Sequence, residues 1–340
     1  MLETFKEHTR VLNHPGRSFD FGEEKWGVMF LNMGGPETTD DVGDYLYNVF
    51  SDRLIIKFPL SFLLQKPLAK FISSRRKPKV IRRYQTIGGG SPLLKWSRLA
   101  ASGVKRELAK QYPQVEMFVG MRYFEPYIDE ELEAAVGEGC RHIILLPMYP
   151  QYCLATTGTA LKVVLNWMNK TDSKMTFSFI SHWYNRPGYI ALLRQRIDEA
   201  VEQFGRVKPK VVFSAHAIPQ KLADSGDPYY SQIVKNVEMA GEGYDYLLTF
   251  QSRTGPVRWV GPDTFQTVQA LGRQGIENVV VVPISFVSDH IETLHEIDIQ
   301  LREAAEQAGV KRLVRTRSLN DDARFTEFLA DLVEEKIKGK

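Results

Sequence analysis

The sequence has few cysteines and no long apolar run, and each absence excludes a class of protein. Its 340 residues include two cysteines, Cys140 and Cys153, which cannot form the disulfide framework of a small secreted domain and indicate a reducing compartment. Neither lies in a CxxC pair, so they predict no zinc site, and they are too few to hold an iron–sulfur cluster. No stretch reaches the ~18 uninterrupted apolar residues of a membrane-spanning helix.

Strong charge and targeting signals are also missing. The 44 basic and 41 acidic side chains leave a net charge of +3, and no dense Lys/Arg tract is interleaved with aromatic residues. We therefore expect no nucleic-acid partner. Residues 1–25 carry several acidic side chains and no apolar h-region, so we expect neither a secretory nor a mitochondrial signal and predict a cytoplasmic protein. The sequence does not predict an oligomeric state.

Short apolar runs recur along the chain and predict the strands of parallel sheets. They are rich in β-branched and aromatic residues and are continuous rather than alternating, which is typical of strands buried on both faces. Helical segments lie between them, and two of these, 127–139 and 263–275, end in a glycine that suits the position after a helix C-cap. The predicted strands are 27–32, 115–120, 142–147, 175–180, 210–215, 246–250, 278–283 and 312–316.

The two halves of the chain repeat the same landmarks at a constant spacing. Each landmark of the first half recurs 136 residues later, in the same strand–helix–strand pattern, which predicts a duplication. A further pair, Pro36 and Pro219, is 183 residues apart, so the first half carries 47 extra residues around the apolar and basic segment LIIKFPLSFLLQKPLAKFISSRR. The landmark pairs are Arg122 and Arg258, Pro126 and Pro262, Gly139 and Gly275, and Pro147 and Pro283.

The duplication predicts an α/β fold of two similar doubly wound, Rossmann-like domains whose parallel sheets face a central cleft. Loops at the carboxyl ends of the strands would line this cleft. We expect the first domain at 25–180, with its apolar insertion at about 45–95, and the second at 181–320, after a linker near 181–188. In the last segment, 321–340, a helix at 321–338 is expected to pack back on a domain.

Two segments of the second half carry candidate catalytic groups. His216 directly follows a predicted strand, where an imidazole can project into a ligand crevice; the alternative is a hydrogen-bonded structural histidine. Downstream, a helix predicted to start near Ser288 or Asp289 divides into an acidic and an apolar stripe, with Asp289 as its cap. The alternative is a solvated acidic face. The acidic stripe comprises Asp289, Glu292 and Glu296, and the apolar one Ile291, Leu294, Ile297 and Leu301.

Two glycine-rich motifs give weaker indications. LNMGGP lacks the GxGxxG pattern, and Pro36 removes an amide that a phosphate loop would use, so dinucleotide binding is not predicted. YQTIGGGSP, at 84–92, is either a tight loop or a place where the backbone approaches a flat or anionic ligand. Arg122 and Tyr123, at the end of a predicted strand, either bind a carboxylate or brace the cleft.

Taken together, these segments resemble the ferrochelatases, the enzymes that end haem synthesis. The resemblance covers about residues 25 to 320, and SAHAIP followed by FVSDHIETLHEID is its most specific part. The matching stretches occur in the family's order: LNMGGPET, RRYQTIGGGSPL, VGMRYFEP, LPMYPQYCLATTG, VVFSAHAIP, LTFQSRTGPVRWVGP and VPISFVSDHIETLHEID.

The resemblance implies roles for individual residues in a chelatase-like fold. His216 is similar to the family's active-site histidine and Glu292 to the carboxylate opposite, and both would bind the metal. The rest of the acidic relay would be Asp289, His290 and Glu296. Porphyrin-pocket positions match Met33, Ser91, Arg122, Tyr123, Gln251 and Ser252, and Arg76, or the adjacent Arg75, would hold a propionate. The apolar insertion around Leu54, Ile55 and Ile56 is similar to a lip that covers the macrocycle and touches membrane, with a packed helical hairpin as the alternative.

The implied activity is that of a lyase that inserts ferrous iron into protoporphyrin IX to form protohaem. Met33 in LNMGGP is similar to the residue found in members that use protoporphyrin. The alternatives are a chelatase for coproporphyrin or another tetrapyrrole, a chelatase for another metal such as cobalt, or a porphyrin or haem carrier without activity. The enzyme would bind the bent porphyrin in preference to the flat one, and a neutral His216 would take a pyrrole proton. Iron is the substrate, no permanent cofactor is expected, and the C-terminal VEEKIKGK lacks the cysteines of an iron–sulfur cluster.

Overall fold

The computed structural model describes residues 19–56 and 61–339. It divides them into two units, one formed by 182–319 and the other by the residues up to 181 together with those from 320 onward. Each unit contains one four-stranded parallel sheet. The expectation for the N-terminal segment before residue 19, and that for 57–60 of the apolar insertion, lie outside the described residues.

The first unit is built on β1 to β4, which are Trp26–Asn32, Val115–Met121, His142–Pro147 and Thr176–Phe179. Their order in the sheet is β2-β1-β3-β4. Every residue of β1 and β3 is buried, as expected for continuous apolar strands at the centre of a sheet. The flanking helices are α1 (Val42–Ser51), α2 (Ser61–Gln85), α3 (Leu93–Leu108), α4 (Ile128–Gly137) and α5 (Thr159–Met168), the last preceded by a π-helical turn at Leu154–Gly158.

The second unit, 182–319, repeats this plan with β5 to β8: Lys210–His216, Tyr246–Gln251, Asn278–Pro283 and Arg312–Arg315. Their order is β6-β5-β7-β8. A π-helix, Glu292–Leu301, follows β7, and a 3₁₀ turn lies at Glu202–Phe204. The α-helices are α6 (Pro187–Val201), α7 (Gln220–Asp224), α8 (Tyr229–Gly241), α9 (Thr264–Arg273) and α10 (Arg302–Gln307).

The two sheets confirm the predicted α/β fold class and agree with the predicted duplication. Both place the second strand of their unit at one edge and the first strand beside it. The landmark glycines Gly139 and Gly275 follow the C-caps of α4 and α9 with φ of 81° and 85°, a conformation that favours glycine. The peptide bonds before Pro126 and Pro262 are both cis. All eight predicted strands are present, with ends that differ by one residue at most.

The last helix, α11 (Ala323–Ile337), belongs to the first unit. It packs against α3, where Gly103 permits a close approach: a Cβ atom at this position would lie 2.7 Å from Cγ2 of Thr326. The chain thus returns to its first unit after completing the second.

The apolar insertion forms a pair of helices that pack on each other, α1 and α2. Leu54, Ile55 and Ile56 follow α1 and are half-buried, whereas Leu63 and Phe71 on α2 expose 66% and 58% of their surface. None of the helices within 19–56 and 61–339 is long and apolar enough to span a bilayer. The helical pair corresponds to the hairpin alternative, and membrane contact stays a prediction.

A buried histidine of the first sheet, His142, is expected to make the folded protein less stable in acid. His142 of β3 is enclosed, with Nδ1 2.7 Å from Thr176 Oγ1 and Nε2 2.9 Å from Ser178 Oγ, and burial, assisted by the charge of Lys336, lowers its pKa to about 4. In the unfolded chain His142 has its ordinary pKa of about 6.5, so below this pH the unfolded chain binds a proton that the folded chain does not. The free energy of unfolding is therefore expected to fall by about 3 kcal/mol as the pH drops from about 6.5 through the folded pKa of about 4.

Urea unfolding followed between pH 7 and pH 4 measures this loss. His142→Gln keeps hydrogen-bonding groups but does not titrate, so its stability is expected to depend less on pH in this window. The same pH dependence in both proteins would contradict the assignment to His142.

Candidate active site

His216 is the last residue of β5, at the carboxyl end of the second sheet. A closed ring of hydrogen bonds fixes its backbone: its N–H donates to Ser285 Oγ at 3.0 Å, and its carbonyl accepts from the Tyr229 hydroxyl at 2.9 Å. The two hydroxyls are 2.6 Å apart, and since that of Tyr229 donates to His216, Ser285 must donate to Tyr229. The strand end that carries the imidazole is therefore held from both sides.

The imidazole of His216 has a defined tautomer and an accessible nitrogen. Nδ1 lies 2.6 Å from the carbonyl oxygen of Ala217, which can only accept, so Nδ1 carries a proton. Nε2 points the other way and lies 3.5 Å from Oε1 of Glu292. With 36% of its side chain exposed, His216 can be reached by a ligand, which favours the chemical interpretation over that of a structural histidine.

Glu292 brings two imidazoles to one carboxylate. Its Oε2 lies 3.2 Å from His290 Nε2, while Oε1 faces His216. Its backbone carbonyl accepts from the amide of Gln251 at 3.2 Å, so the end of β6 fixes the start of the π-helix. The predicted juxtaposition of His216, His290 and Glu292 is thus present within the second unit.

Glu296 is held one turn further along by Ser252. The N–H and Oγ of Ser252 donate to Oε1 and Oε2 of Glu296, at 2.8 and 2.7 Å. This requires a left-handed backbone at Ser252, with φ of 63°, which costs a non-glycine residue about 1 kcal/mol. Two hydrogen bonds to a charged group offset that cost. Glu296 therefore has a fixed orientation.

Burial and mutual attraction together determine the charges at this site. Burial disfavours the charged form of His216, but the charge of Glu292 and its hydrogen bond outweigh it and raise the pKa of the imidazole to about 9. Burial likewise favours protonation of Glu292, yet His216 and His290 hold its pKa well below the ordinary range. For Glu296, burial and the charge of Glu292 raise the pKa. The pairing with Glu292 thus favours the protonated imidazole in the protein without iron, and the neutral His216 that would take a pyrrole proton stays a prediction.

The acidic helix differs from its prediction at its start. It begins at Ile291 and continues as a π-helix from Glu292, so the predicted start near Ser288 or Asp289 and the cap at Asp289 are wrong. Thr293 supplies the local bond instead, accepting from the N–H of His290 at 3.0 Å. Glu292 and Glu296 share a face of this helix at a spacing of four, as they also would in an α-helix.

Asp289 does not stand on this face. Its carboxylate pairs with Arg315 at 3.1 Å and accepts from Ser318 at 2.7 Å, so the predicted stripe of three acids is wrong. Of the predicted apolar stripe, Ile297 and Leu301 are buried, while Ile291 and Leu294 are half-buried. The helix thus presents Glu292 and Glu296 to the site, whereas Asp289, two residues before its start, binds Arg315.

Gln251 and Ser252 were predicted to bind porphyrin. In the structure, side-chain atoms of both form hydrogen bonds with residues of the π-helix. Gln251 is 1% exposed, and its amide oxygen accepts from Ser214 at 2.6 Å. With the bonds to Glu292 and Glu296 described above, the two residues connect β6 to the acidic helix. Their role toward a substrate stays a prediction.

The remaining predicted substrate residues lie in the first unit. Met33 and Tyr123 meet at the ends of β1 and β2, where the Tyr123 N–H donates to the Met33 carbonyl at 2.9 Å. Arg122 and the Tyr123 hydroxyl both bind the carboxylate of Asp52, at 2.5 and 2.9 Å. Arg122 therefore binds a carboxylate of its own chain. The guanidinium of Arg76 lies over the ring of Phe50, with 5.2 Å between Cζ and the ring centroid.

Ser91 and the glycine-rich turn before it form a tight loop. Ser91 donates its N–H to the carbonyl of Pro36 at 2.7 Å. Gly88 and Gly89 have φ of 106° and 94°, and a Cβ atom on Gly90 would lie 1.8 Å from the carbonyl oxygen of Glu37. Gly90 thus permits close packing between two chain segments, and Gly88 and Gly89 supply the positive φ of the turn, which is the tight-loop interpretation.

Several functional neighbours were not predicted from the sequence. Ser285 follows β7 as His216 ends β5, so its place after a strand was the available signal. No sequence signal indicated the other three, because each contacts a residue that is distant in the sequence. These are Tyr229, Arg315 and Asp52.

Within the part of the chain that the structure describes, these groups do not form a preassembled metal site. Among residues 19–56 and 61–339, no group of three or more His, Cys, Asp and Glu side chains could hold a metal ion. A cavity of about 560 Å³ in the second unit lies elsewhere, and the predicted site residues do not line it. It is lined by Gln220, Arg253, Arg258, Trp259, Asp263 and Gln266, among others.

Known proteins share both the fold and the sequence. A model of the ferrochelatase family matches residues 25–337. The ferrochelatase of Gloeobacter violaceus is 40% identical over 319 residues, which cover 92% of this chain and 97% of that protein. That of Synechococcus elongatus is 38% identical over 320 residues, covering 92% and 82%. Among solved structures, SirB from Bacillus subtilis with Fe³⁺ has a TM-score of 0.53 at 13% identity, covering 92% of this chain and 95% of SirB.

The two parallel sheets with their flanking helices define a chelatase-type α/β fold. Within this class, the matched span and the identity to its curated relatives show that the chain belongs to the ferrochelatase family.

Proposed function

We propose that this chain inserts ferrous iron into protoporphyrin IX to form protohaem, with His216 and Glu292 as the groups that bind the iron. The observation that carries this proposal is the imidazole–carboxylate pair, 3.5 Å apart, at the carboxyl end of β5 in a ferrochelatase-family chain. An imidazole with a carboxylate suits a metal of intermediate hardness. Two protein ligands hold it weakly enough to release it.

Metallation requires the porphyrin to lose two protons and to expose its nitrogen lone pairs. Fe²⁺ and a proton compete for the same Nε2 lone pair of His216, so iron binding would release the proton that this nitrogen carries in the free protein. When the iron leaves Nε2 for the porphyrin, this lone pair becomes free again and can accept a proton lost from a pyrrole N–H. Nδ1, which is bound to Ala217, keeps the ring in the orientation that directs Nε2 to the reaction.

The carboxylates would carry protons away and attract the cation. Glu292 faces both imidazoles, and because they hold its pKa low, it would pass a proton on to Glu296 rather than keep it. Glu296, whose pKa is raised by burial and by Glu292, is the next acceptor along the same helix face. Negative charge concentrated on this face also raises the local concentration of Fe²⁺. His290 and Glu296 thus complete the proposed relay.

We propose porphyrin-binding residues within each unit. Met33, Ser91, Arg122 and Tyr123 would belong to the pocket of the first unit, and Gln251 and Ser252 to that of the second. Arg76 is favoured over Arg75 as the propionate ligand, because Arg76 is half-buried on Phe50, whereas Arg75 is exposed. The Nε atom of Arg122 is buried without a hydrogen-bond partner, which supports a further acceptor near this guanidinium.

The proposal includes no resident cofactor. Iron is the substrate, and Cys140 and Cys153 are both buried, which argues against their ligating a cluster. We also propose a cytoplasmic location. The exposed apolar side chains Leu63 and Phe71 of α2 support peripheral membrane contact.

Anaerobic mixing of substoichiometric protein with ferrous iron and porphyrin tests the function. Visible spectroscopy is expected to show many turnovers of protohaem per protein with protoporphyrin IX. Parallel reactions with coproporphyrin and with Co²⁺ examine the alternative chelatases: a higher kcat/KM for either would overturn the substrate assignment. Haem formation that stops at one equivalent would instead indicate a carrier.

A further inference from the structure

A buried arginine joins the two ends of the segment that carries Glu292 and Glu296. Arg315 ends β8, and 11% of its side chain is exposed. Its Nε and Nη2 donate to Oδ1 and Oδ2 of Asp298, at 2.9 and 2.8 Å, and its Nη1 lies 3.1 Å from Oδ1 of Asp289. One guanidinium therefore binds a carboxylate on each side of the two catalytic acids.

The two carboxylates that bind Arg315 lie before and after Glu292 and Glu296 in the sequence. Asp289 precedes the first helical residue by two positions, and Asp298 lies in the π-helix two positions after Glu296. Asp289 is further tied to the helix by Thr293, whose hydroxyl donates to it at 3.2 Å. The nine-residue separation of the two anchors spans the whole stretch that faces His216.

The chemistry of arginine suits this arrangement. Its planar guanidinium binds Asp298 through two parallel N–H donors and still directs Nη1 at Asp289, which the point charge of a lysine could not do. Both carboxylates are largely buried, so the loss of their partner would leave uncompensated charge. The π-helix is a rare conformation, usually restricted to a single turn. Contacts from outside the helix are therefore needed to specify ten residues of it.

We propose that Arg315 is a positioning residue for iron insertion: it fixes both ends of the π-helical segment, so that Glu292 stays against His216 and Glu296 against Ser252. The proposal rests on the proposed function of that site. It also assigns Asp289 to the support of the helix. A carboxylate displaced by about 1 Å can cost about 10²-fold in rate. Porphyrin contacts in the first unit do not depend on this arginine.

The test compares Arg315→Gln and Arg315→Lys with the unchanged chain in the anaerobic iron-insertion assay. Both variants are expected to lose about 10²-fold in kcat with little change in the KM for porphyrin. Arg315→Lys keeps the positive charge but lacks the two parallel N–H donors that bind Asp298, here called the fork. Compared with Arg315→Gln, it should therefore regain more thermal stability than kcat. Wild-type kcat in Arg315→Lys would overturn positioning through the fork.

Hydrogen exchange provides a readout independent of activity. Amides of residues 289–301 are expected to exchange faster in both variants, while those of β5 keep their protection. Unchanged exchange in 289–301 together with a lower kcat would overturn the proposal. If the chain itself does not metallate porphyrin, the proposed function fails, yet the exchange measurement still decides whether Arg315 holds the helix.

Two further variants control for folding and for loss of charge. Arg317→Gln removes an exposed arginine that binds Glu199 and is expected to retain kcat and exchange rates. If Arg315→Gln does not fold, Asp298→Asn removes the fork from the other side and should reproduce the loss of kcat. Normal kcat and exchange in Asp298→Asn would contradict the proposal.

Discussion

Replacing His216 with alanine is expected to lower kcat for iron insertion by about 10³-fold or more, because it removes both a metal ligand and a proton acceptor. The Nε2 atom that faces Glu292 is lost, whereas the hydrogen-bond ring of Tyr229 and Ser285 acts on the backbone of residue 216 and survives. The strand end should therefore keep its shape. Porphyrin affinity, measured by quenching of porphyrin fluorescence, is expected to be unchanged.

His182→Ala is the matched control for this experiment. His182 lies in the same unit and stacks near Tyr184, with 5.4 Å between ring centroids. Its replacement should leave kcat near that of the unchanged chain. Turnover by His216→Ala at the same rate as this control would remove His216 from the chemistry. An equal loss in both variants would show that the assay responds to the loss of any histidine.

The fold could be predicted from the sequence because its determinants are local or periodic. Continuous apolar runs such as β1 and β3 are buried on both faces, and this alone distinguishes them from amphipathic segments. The repeated landmarks revealed the duplication because a positive φ after a helix has few solutions other than glycine, as at Gly139 and Gly275. Such constraints act within a few residues, so they leave a readable pattern.

The start of the acidic helix could not be predicted for a related reason. A spacing of three and seven residues suits an α-helix, and the sequence therefore indicated one stripe of three acids. The chain adopts a π-helix instead, and Asp289 lies outside it and pairs with Arg315, which is 26 residues further along the sequence. Tertiary contacts override the local pattern here.

Charge pairing in the site was equally hidden from the sequence. Arg122 was expected either to bind a carboxylate or to brace the cleft, and it binds the carboxylate of Asp52, 70 residues earlier in the chain. The left-handed Ser252 carries no glycine or asparagine signature, because its two bonds to Glu296 replace the local preference. The ends of the predicted strands indicated which residues to propose for the site. They did not indicate which other side chain each of these residues contacts.

Glu292→Gln is expected to reduce kcat by about 10²-fold or more, since even outer-shell changes at metal sites cost 10–100-fold. Glutamine keeps the shape and can still contact His290 but brings no charge to attract Fe²⁺. The His216 pKa, now about 9 because Glu292 outweighs burial, should fall, since burial then dominates. NMR titration of the imidazole in the protein without iron measures this fall independently of turnover.

Glu296→Gln is the graded comparison, and the difference between the two variants is informative. Glu296 lies one turn further from the imidazole and is bound by Ser252, so water can take over its part in proton transfer, and a loss of about 10-fold is expected. If Glu292→Gln metallated porphyrin at a near-normal rate while the His216 pKa still fell, the carboxylate would tune the imidazole without binding iron. A larger loss from Glu296→Gln than from Glu292→Gln would reverse their order, and the iron would then have to approach His216 from the side of Ser252.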